Sequence, residues 1–324
     1  MQEAKKAPKI AAVGGGTGLS VLLRSLKSFT PNITAIVAMT DDGGSSGQLR
    51  KSGYLPPGDI RNCLVALADT APSMEQFLNY RFDETSSLAG HNVGNLLMVG
   101  LTQITNGNFA EAVAQLSRVL AVKGQVLPVT ADNVRLFAEM EDNSVIIGET
   151  NMVADSRHIH RVFLEPANCT PLPAVIESIK TADCIIIGPG SLYTSIITNL
   201  LVPGVVQAMR ESQAPVYYIC NIVTQPGEME LDHASQYVQA IHQHTGPGLI
   251  NKVIVNNAPF PVAQRATLSG CVKPVQYDPT LNELGLEIIA EDLYCRESSY
   301  CHDQQKLAQL FLKQKHLWVN DKEQ

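Results

Sequence analysis

The sequence predicts an α/β protein: a three-layer sandwich in which helices cover both faces of a mostly parallel sheet. Two observations predict this class. Strand-like apolar runs alternate with helical runs through much of the 324-residue chain, a pattern typical of parallel sheets. An apolar run that ends in glycines also occurs twice, as KIAAVGGGTG from Lys9 and as CIIIGPGS from Cys184. We therefore expect residues 1–324 to form one domain.

The individual elements follow from the spacing of apolar residues. Strands are predicted at residues 10–13, 33–39, 184–187, 216–220 and 252–255. Helical spacing of leucines after the first strand predicts a helix, and similar spacing predicts a helical block over residues 59–122, after the second strand. The pattern of residues 125–165 predicts a small β-rich, antiparallel segment, here called the excursion, which is either an insertion or an edge of the sheet. Residues 303–315 predict an amphipathic helix that packs on the body.

Composition excludes several classes of protein. There are 24 Lys and Arg against 31 Asp and Glu, a net charge of −7, so the surface as a whole repels nucleic acid and anionic lipid. No apolar stretch reaches the roughly 18 residues of a membrane span, and the N-terminus has no signal-peptide core. We therefore expect a cytoplasmic protein. The seven cysteines are scattered and never form C-x-x-C, which argues against a disulfide framework and a zinc knuckle.

The first glycine loop, residues 14–18, predicts an anion site at the start of a helix in a Rossmann-like fold. Glycines let the backbone turn tightly and point several N–H groups at an anion. The loop is not the dinucleotide fingerprint, because Leu19 stands where a third glycine is needed. It is not a P-loop either, because Ser20 and Val21 follow instead of Lys and Ser or Thr. Neither a nicotinamide enzyme nor a Walker-type ATPase is favoured.

Polar residues follow the other predicted strands, where ligands bind in parallel sheets. The second strand leads into Asp41 and Asp42, about 20 residues beyond the glycines, where an acidic residue would meet a ribose hydroxyl. The same pair could hold Mg²⁺ against a diphosphate. Neighbouring side chains of an extended segment point in opposite directions, so only one of them faces a given ion, and we favour Asp41. The alternative is a solvated turn.

Three further segments supply candidate ligand contacts. Asp59 is interpreted as a helix N-cap, whereas Arg61 in the first helical turn is expected to reach a phosphate. His91 lies beside two asparagines that are expected to share a helix face, although a structural role is an equal alternative for it. After the second glycine loop, residues 188–190, Ser191 and its neighbours suit hydrogen bonds to phosphate or sugar oxygens. No catalytic nucleophile is predicted, because Ser191 has a glycine before it but Tyr193 stands where a nucleophile motif requires the glycine after it.

The complete predicted ligand site has twenty members, two of which are also the candidate Mg²⁺ ligands, Asp41 and Asp42. The set is Gly14, Gly15, Gly16, Thr17, Gly18, Asp41, Asp42, Gly43, Ser45, Ser46, Arg61, Asn62, His91, Asn92, Asn95, Gly188, Gly190, Ser191, Thr194 and Asn221.

These motifs, together with Thr224-Gln225-Pro226-Gly227-Glu228, closely resemble the bacterial gluconeogenesis factor family of YvcK type. Six motifs occur in that family's order between about residues 9 and 255. The wider CofD-like superfamily also contains 2-phospho-L-lactate transferase, which moves a phospholactyl group from a guanosine diphosphate donor to a deazaflavin precursor.

The resemblance implies a protein that binds a nucleoside diphosphate sugar, notably UDP-N-acetylglucosamine, without established turnover. It also implies a role in growth on gluconeogenic carbon sources, in cell shape and in wall precursor supply. The alternative is a metal-dependent transferase that acts on an NDP-linked donor. Gly190 stands where the transferase branch carries Asn, which favours the regulatory branch. Relatives place a Tyr and an Arg where this chain has Thr267 or Leu268 and Cys301. The base and the sugar of the ligand stay open, and so does a homo-oligomeric state.

Overall fold

The protein is described from a computed structural model that covers residues 7–155, 157–225, 231–260, 272–296 and 301–313. Its centre is a seven-stranded sheet in which every strand pair is parallel. In chain order these strands are β1 (Ile10–Gly14), β2 (Ile33–Val37), β3 (Gln125–Pro128), β7 (Cys184–Ile187), β8 (Val216–Ile219), β9 (Lys252–Asn256) and β10 (Glu287–Glu291). Their order across the sheet is β10-β9-β8-β7-β1-β2-β3. The predicted α/β class is confirmed.

Helices cover the sheet and fill the connection after the second strand. The helices before β3 are α1 (Gly16–Leu26), α2 (Gly44–Lys51), α3 (Gly58–Leu67), α4 (Pro72–Asn79), α5 (Val93–Ile104) and α6 (Phe109–Val119). The later helices are α7 (Glu149–Ala154), α8 (Pro173–Lys180), α9 (Thr198–Leu200), α10 (Val205–Glu211), α11 (Ala234–Thr245), α12 (Thr280–Glu283) and α13 (Gln304–Lys313). A π-helical segment, Leu192–Ile197, runs directly into α9. The helical block predicted after the second strand is therefore present.

The core lies between the sheet and these helices. The residues of β1, β7 and β8 are buried throughout, as continuous apolar runs predict for central parallel strands. Helix α1 buries Leu19, Leu22 and Leu23 completely, which accounts for its leucine spacing. The terminal helix α13 packs on α1, where the Ser25 hydroxyl donates to the Gln304 carbonyl oxygen at 2.9 Å.

The β-rich excursion contains a second, antiparallel sheet of order β5-β4-β6. Its strands are β4 (Arg135–Met140), β5 (Val145–Ile147) and β6 (Ile159–Glu165). The predicted range of 125–165 was too wide for this unit, because residues 125–128 form the edge strand β3 of the main sheet, parallel to β2. Residues 125–128 are therefore an edge strand of the main sheet, and residues 135–165 form the insertion, which is called the excursion below.

Several boundaries differ from prediction. The second strand ends at Val37 rather than at 39, and β8 ends at Ile219 rather than at 220. Strand β10 was missed, although it pairs with β9 over five residues. The tail helix ends at Lys313 within the described residues, so its predicted last two positions lie outside them.

No single helix of the described chain passes a length and hydropathy test for crossing a membrane. One bent pair, Leu192–Leu200 with Val205–Glu211, passes it jointly on length and composition alone.

The strand order reverses beside β1, which lies between β7 and β2. The chain runs from β1 to β2 toward one edge of the sheet and from β7 to β8 toward the other edge. In parallel sheets such a reversal opens a crevice beyond the carboxyl ends of the two strands. Both glycine loops begin there.

Candidate functional site

The two glycine loops are in direct contact. Strands β1 and β7 pair in register, with Val13 opposite Ile187, so both loops leave the same edge of the sheet. A Cβ atom on Gly18 would lie 2.5 Å from the Pro189 carbonyl oxygen and 3.1 Å from the Gly190 nitrogen. Only a residue without a side chain permits this approach. The first residue of α1, Gly16, also has a φ of +61°, which side chains rarely adopt.

Asp59 lies against the first glycine loop, and this contact was not predicted from the sequence. Its expected capping role is wrong, because α3 begins at Gly58 and no side chain caps it. Instead, a Cβ on Gly15 would lie 2.7 Å from Asp59 Oδ2, and the Gly16 N–H hydrogen bonds to this carboxyl. Burial, reinforced by Asp41, raises the pKa of Asp59 to about 7. The Gly16 N–H and Arg61 favour the charged form of this carboxyl, but burial and Asp41 outweigh them.

Asp41 and Asp42 face opposite ways, as the extended geometry predicts. Asp42 Oδ1 accepts from the Thr150 N–H at 2.9 Å and from the Thr150 hydroxyl at 2.7 Å, so it faces the excursion. Asp41 Oδ1 accepts from the Gly43 N–H at 3.0 Å. A Cβ on Gly58 would lie 2.7 Å from Asp41 Oδ2, so Asp41 faces the start of α3 and Asp59.

A polar network joins α2, α3 and α5. The buried Ser45 hydroxyl lies 3.1 Å from His91 Nδ1 and accepts from Asn95 Nδ2 at 3.0 Å. Asn95 Oδ1 in turn accepts from Arg61 Nη1 at 3.3 Å, and Arg61 also donates to Asn62 Oδ1. Burial and the nearby Arg81 lower the pKa of Arg61. Two guanidinium groups near the start of α2 make this side of the crevice positive.

Two other predicted residues are engaged with the backbone. Asn92 is the N-cap of α5, because its Oδ1 accepts from the N–H groups of Gly94 at 2.9 Å and Asn95 at 3.4 Å. It therefore precedes the helix and does not share a helical face with Asn95. The buried Ser46 hydroxyl accepts from the Gly58 N–H at 3.1 Å, which ties α2 to α3.

Two buried asparagines hydrogen bond to the glycine loops, one to each loop. Asn221, just after β8, accepts from the Gly190 N–H at 3.2 Å. Asn199, which was not predicted, is fully buried and donates to the carbonyl oxygens of Gly14 at 2.9 Å and Ser195 at 2.6 Å. The loop itself begins at Gly188, and the π-helical segment follows Ser191. Such π-helical turns occur frequently at functional sites.

Glu149 brings the excursion into the crevice. It is the first residue of α7, and its half-buried carboxyl faces the Thr194 hydroxyl. Burial, together with the charges of Asp41 and Asp59, raises the pKa of Glu149 to about 8. The sequence did not predict the position of Glu149 in the crevice, because the excursion has no glycine motif and lies far along the chain from the Asp41-Asp42 pair.

The remaining predicted residues are distributed as follows. Thr17 is exposed at the start of α1, and Gly43 precedes α2. Residues 226–228 of the sixth motif, and Thr267 and Leu268, lie outside the described residues, whereas Cys301 is half-buried. Within the described ranges, no group of three or more His, Cys, Asp or Glu side chains is arranged to hold a metal ion.

Comparison with known proteins gives consistent results. The family model described as 2-phospho-L-lactate transferase CofD matches residues 10–294. A Bacillus subtilis protein named gluconeogenesis factor is 46% identical over 309 residues, covering 94% of this chain and 97% of its own. A Listeria monocytogenes protein of the same name is 39% identical over 319 residues, covering 98% of both chains.

A solved structure supports the same relationship. The crystal structure of a Bacillus halodurans protein superposes with a TM-score of 0.91 at 43% identity, covering 95% of this chain and 100% of that one. The fold and the resemblance read from the six motifs are both confirmed. The chain therefore belongs to the gluconeogenesis factor family, within the wider family that the 2-phospho-L-lactate transferase CofD model describes.

Proposed function

We propose that the crevice beyond β1, β2 and β7 binds the diphosphate of a UDP-sugar, UDP-N-acetylglucosamine, and that the protein acts in regulation rather than catalysis. One observation carries this proposal: the two glycine loops are close enough for a Cβ on Gly18 to fall 2.5 Å from the Pro189 carbonyl oxygen. Backbone N–H groups from both loops and from the start of α1 can then serve a single anion. The whole chain is proposed to act as one binding domain.

Charge supports a phosphorylated ligand on one side of the crevice. Arg61 and Arg81 are close enough for Arg81 to lower the pKa of Arg61. A phosphate between them would relieve this repulsion and accept from both guanidinium groups. We propose that Ser45, His91 and Asn95 complete this side by contacting phosphate or sugar oxygens.

Mg²⁺ fits the other side if the ligand supplies most of the coordination. Asp41 is the better candidate of the predicted pair, because both hydrogen bonds of Asp42 Oδ1 are made to Thr150. Mg²⁺ is commonly held by one or two carboxylates together with substrate phosphates, so a three-carboxylate cage is not required. A cation there would also favour the charged forms of the Asp59 and Glu149 carboxyl groups.

The second candidate function is a metal-dependent transferase acting on an NDP-linked donor. The observation that favours it is a pair of carboxyl groups, Asp59 and Glu149, whose pKa values of about 7 and about 8 suit proton transfer near neutrality. The CofD family description names such a transferase. The two functions differ in whether the ligand is consumed.

A ligand-binding experiment tests the proposal and separates the two functions. UDP-N-acetylglucosamine at 100 times its dissociation constant should add about 2.7 kcal/mol to the free energy of unfolding, and chromatography should recover it intact. Release of a diphosphate product, dependent on Mg²⁺, would favour the transferase. Absence of any thermal shift with UDP-sugars would refute the proposal.

A matched pair of variants locates the site. Arg61→Gln should weaken binding of the UDP-sugar about tenfold, because it removes a charged hydrogen-bond donor. Arg118→Gln, on the exposed side of α6 where Arg118 pairs with Glu111 at 3.2 Å, serves as the control and should bind normally. Equal affinities would place the ligand elsewhere.

The physiological part of the proposal is growth on gluconeogenic carbon sources, cell shape and wall precursor supply in the cytoplasm. Expression in a Bacillus subtilis strain that lacks its own gluconeogenesis factor should restore such growth. The Arg61→Gln variant should restore it less well, provided that both proteins accumulate equally.

A further inference from the structure

A cavity of about 340 Å³ lies on the far side of the Asp41-Asp42 pair, between α2 and the excursion. Its walls include Asp42, Arg50, Lys51, Arg135 and Thr150. Because Asp41 faces the start of α3 and Asp59 while Asp42 faces this cavity, one stretch of backbone separates the cavity from the crevice. The volume is at the lower end of the range for small-molecule sites.

The cavity is positively charged although the whole chain carries −7. It has three cationic side chains, Arg50, Lys51 and Arg135, against the single carboxylate of Asp42. The Asp42 carboxylate already accepts two hydrogen bonds from Thr150. The walls therefore carry more positive than negative charge, which favours an anionic ligand.

The three cations differ in how they are held. Arg50 is half-buried and fixed: it donates to the Met39 carbonyl oxygen at 3.1 Å, to Asn133 Oδ1 at 3.1 Å and to the Val134 carbonyl oxygen. Burial and the neighbouring Arg135 lower the pKa of Arg50, whereas Asp42 raises it. Arg50 is thus a preorganised charge in the wall of the cavity.

Lys51 and Arg135 are exposed, and among the described residues neither side chain has a hydrogen-bond or ion-pair partner. Glu165 is directly opposite Arg135 in the β4–β6 pairing, yet no ion pair forms between them. Both side chains can therefore close on an anion seated above Arg50. Long cationic side chains around one fixed guanidinium suit a tetrahedral oxyanion with two negative charges.

We propose that this cavity is a second binding site, which takes a small metabolite carrying a phosphate group. The site is separate from the proposed UDP-sugar crevice and does not depend on that proposal. It joins the main body to the excursion, because Arg50 belongs to α2 and Arg135 to β4.

A titration with inorganic phosphate at constant ionic strength tests the proposal. Lys51→Ala and Arg135→Ala should each weaken phosphate binding about tenfold. Both positions are exposed, so the fold should survive, as circular dichroism and thermal unfolding would verify. Lys313→Ala, at an exposed lysine of α13, is the control and should bind phosphate normally.

Arg61→Gln distinguishes the two sites, because it acts on the glycine-loop crevice and leaves the cavity intact. Phosphate binding that falls with Arg61→Gln but not with Arg135→Ala would overturn the proposal, as would no binding at all. Crystals of the full chain soaked in tungstate should show an anomalous peak between Arg50 and Arg135. Peaks confined to the glycine loops would also overturn it.

Discussion

Asp59 and Glu149 are the residues whose chemistry departs most from expectation. The Asp59 carboxyl faces the first glycine loop and the Glu149 carboxyl faces Thr194, and their pKa values are raised to about 7 and about 8. Burial is the main cause in each case, and Asp41 adds to it by repulsion. Groups of this kind are concentrated at functional sites.

Stability should fall as pH rises from about 5 to 9. The unfolded chain loses both protons near pH 4, whereas the folded chain keeps them until the pH passes about 7 for Asp59 and about 8 for Glu149. Between these limits each group lowers the free energy of unfolding by up to about 1.4 kcal/mol per pH unit, and the decrease levels off above them. Asp59→Asn and Glu149→Gln should each make the decrease of stability with pH smaller. Denaturant unfolding at several pH values measures the effect.

Asp142→Asn is the control for this experiment. Hydrogen bonds from Ser144, with Arg157 adding to them, lower the pKa of the exposed Asp142 to about 2. The contribution of Asp142 to stability is present above the pKa that this group has in the unfolded chain, and it is lost only in acid. The dependence of stability on pH between 5 and 9 should therefore be the same in Asp142→Asn as in the wild type. A wild-type curve that is level over this range would contradict the prediction.

Gly18 tests the contact between the glycine loops. Gly18→Ala should cost about 1–3 kcal/mol of stability, because the new Cβ would meet the Pro189 backbone, which cannot move aside as a flexible side chain can. Gly14→Ala is the matched control, since its Cβ would lie 3.6 Å from Leu19, an ordinary contact. Thermal unfolding compares the two. Equal losses would show that the close approach is not the cause.

At the scale of elements, the start of α5 shows how one residue can be both structural and a ligand candidate. Asn92→Ala should destabilise the protein by about 1 kcal/mol through loss of the cap, whereas Asn92→Ser should retain the cap. If Asn92 also contacts the proposed ligand, Asn92→Ser should weaken UDP-sugar binding without loss of stability. Calorimetry on both variants separates the roles. A stable Asn92→Ala protein would contradict the capping role.

Asp42 is one of the contacts between the main body and the excursion. Asp42→Ala removes the acceptor for two Thr150 donors, so amide hydrogen exchange of residues 148–154 should accelerate about tenfold. Asp42→Asn keeps an oxygen acceptor and should change exchange much less. Mass spectrometry of the exchanged peptides provides the measurement. Unchanged exchange in Asp42→Ala would show that other contacts hold the excursion.

At the scale of the whole molecule, the parallel sheet was predictable because its strands are fully buried and appear as unbroken apolar runs. Strand β10 escaped prediction because it is an edge strand with glutamates at both ends. Residues 125–128 were assigned to the excursion since nothing local distinguishes a parallel edge strand from an antiparallel one. Pairing partners are a property of the assembled sheet.

The sequence by itself determined where the backbone turns at the tips of β1 and β7, because glycines specify such turns locally. It also determined the opposed directions of Asp41 and Asp42, since alternation is a property of any extended chain. Only the tertiary structure decided that Asp59 contacts Gly15 and Gly16 instead of capping α3, and that Glu149 lies close enough to Asp41 and Asp59 for their charges to raise its pKa. These contacts depend on segments far apart in the chain, such as Asp42 and Thr150 at a separation of 108 residues, and no local pattern encodes them.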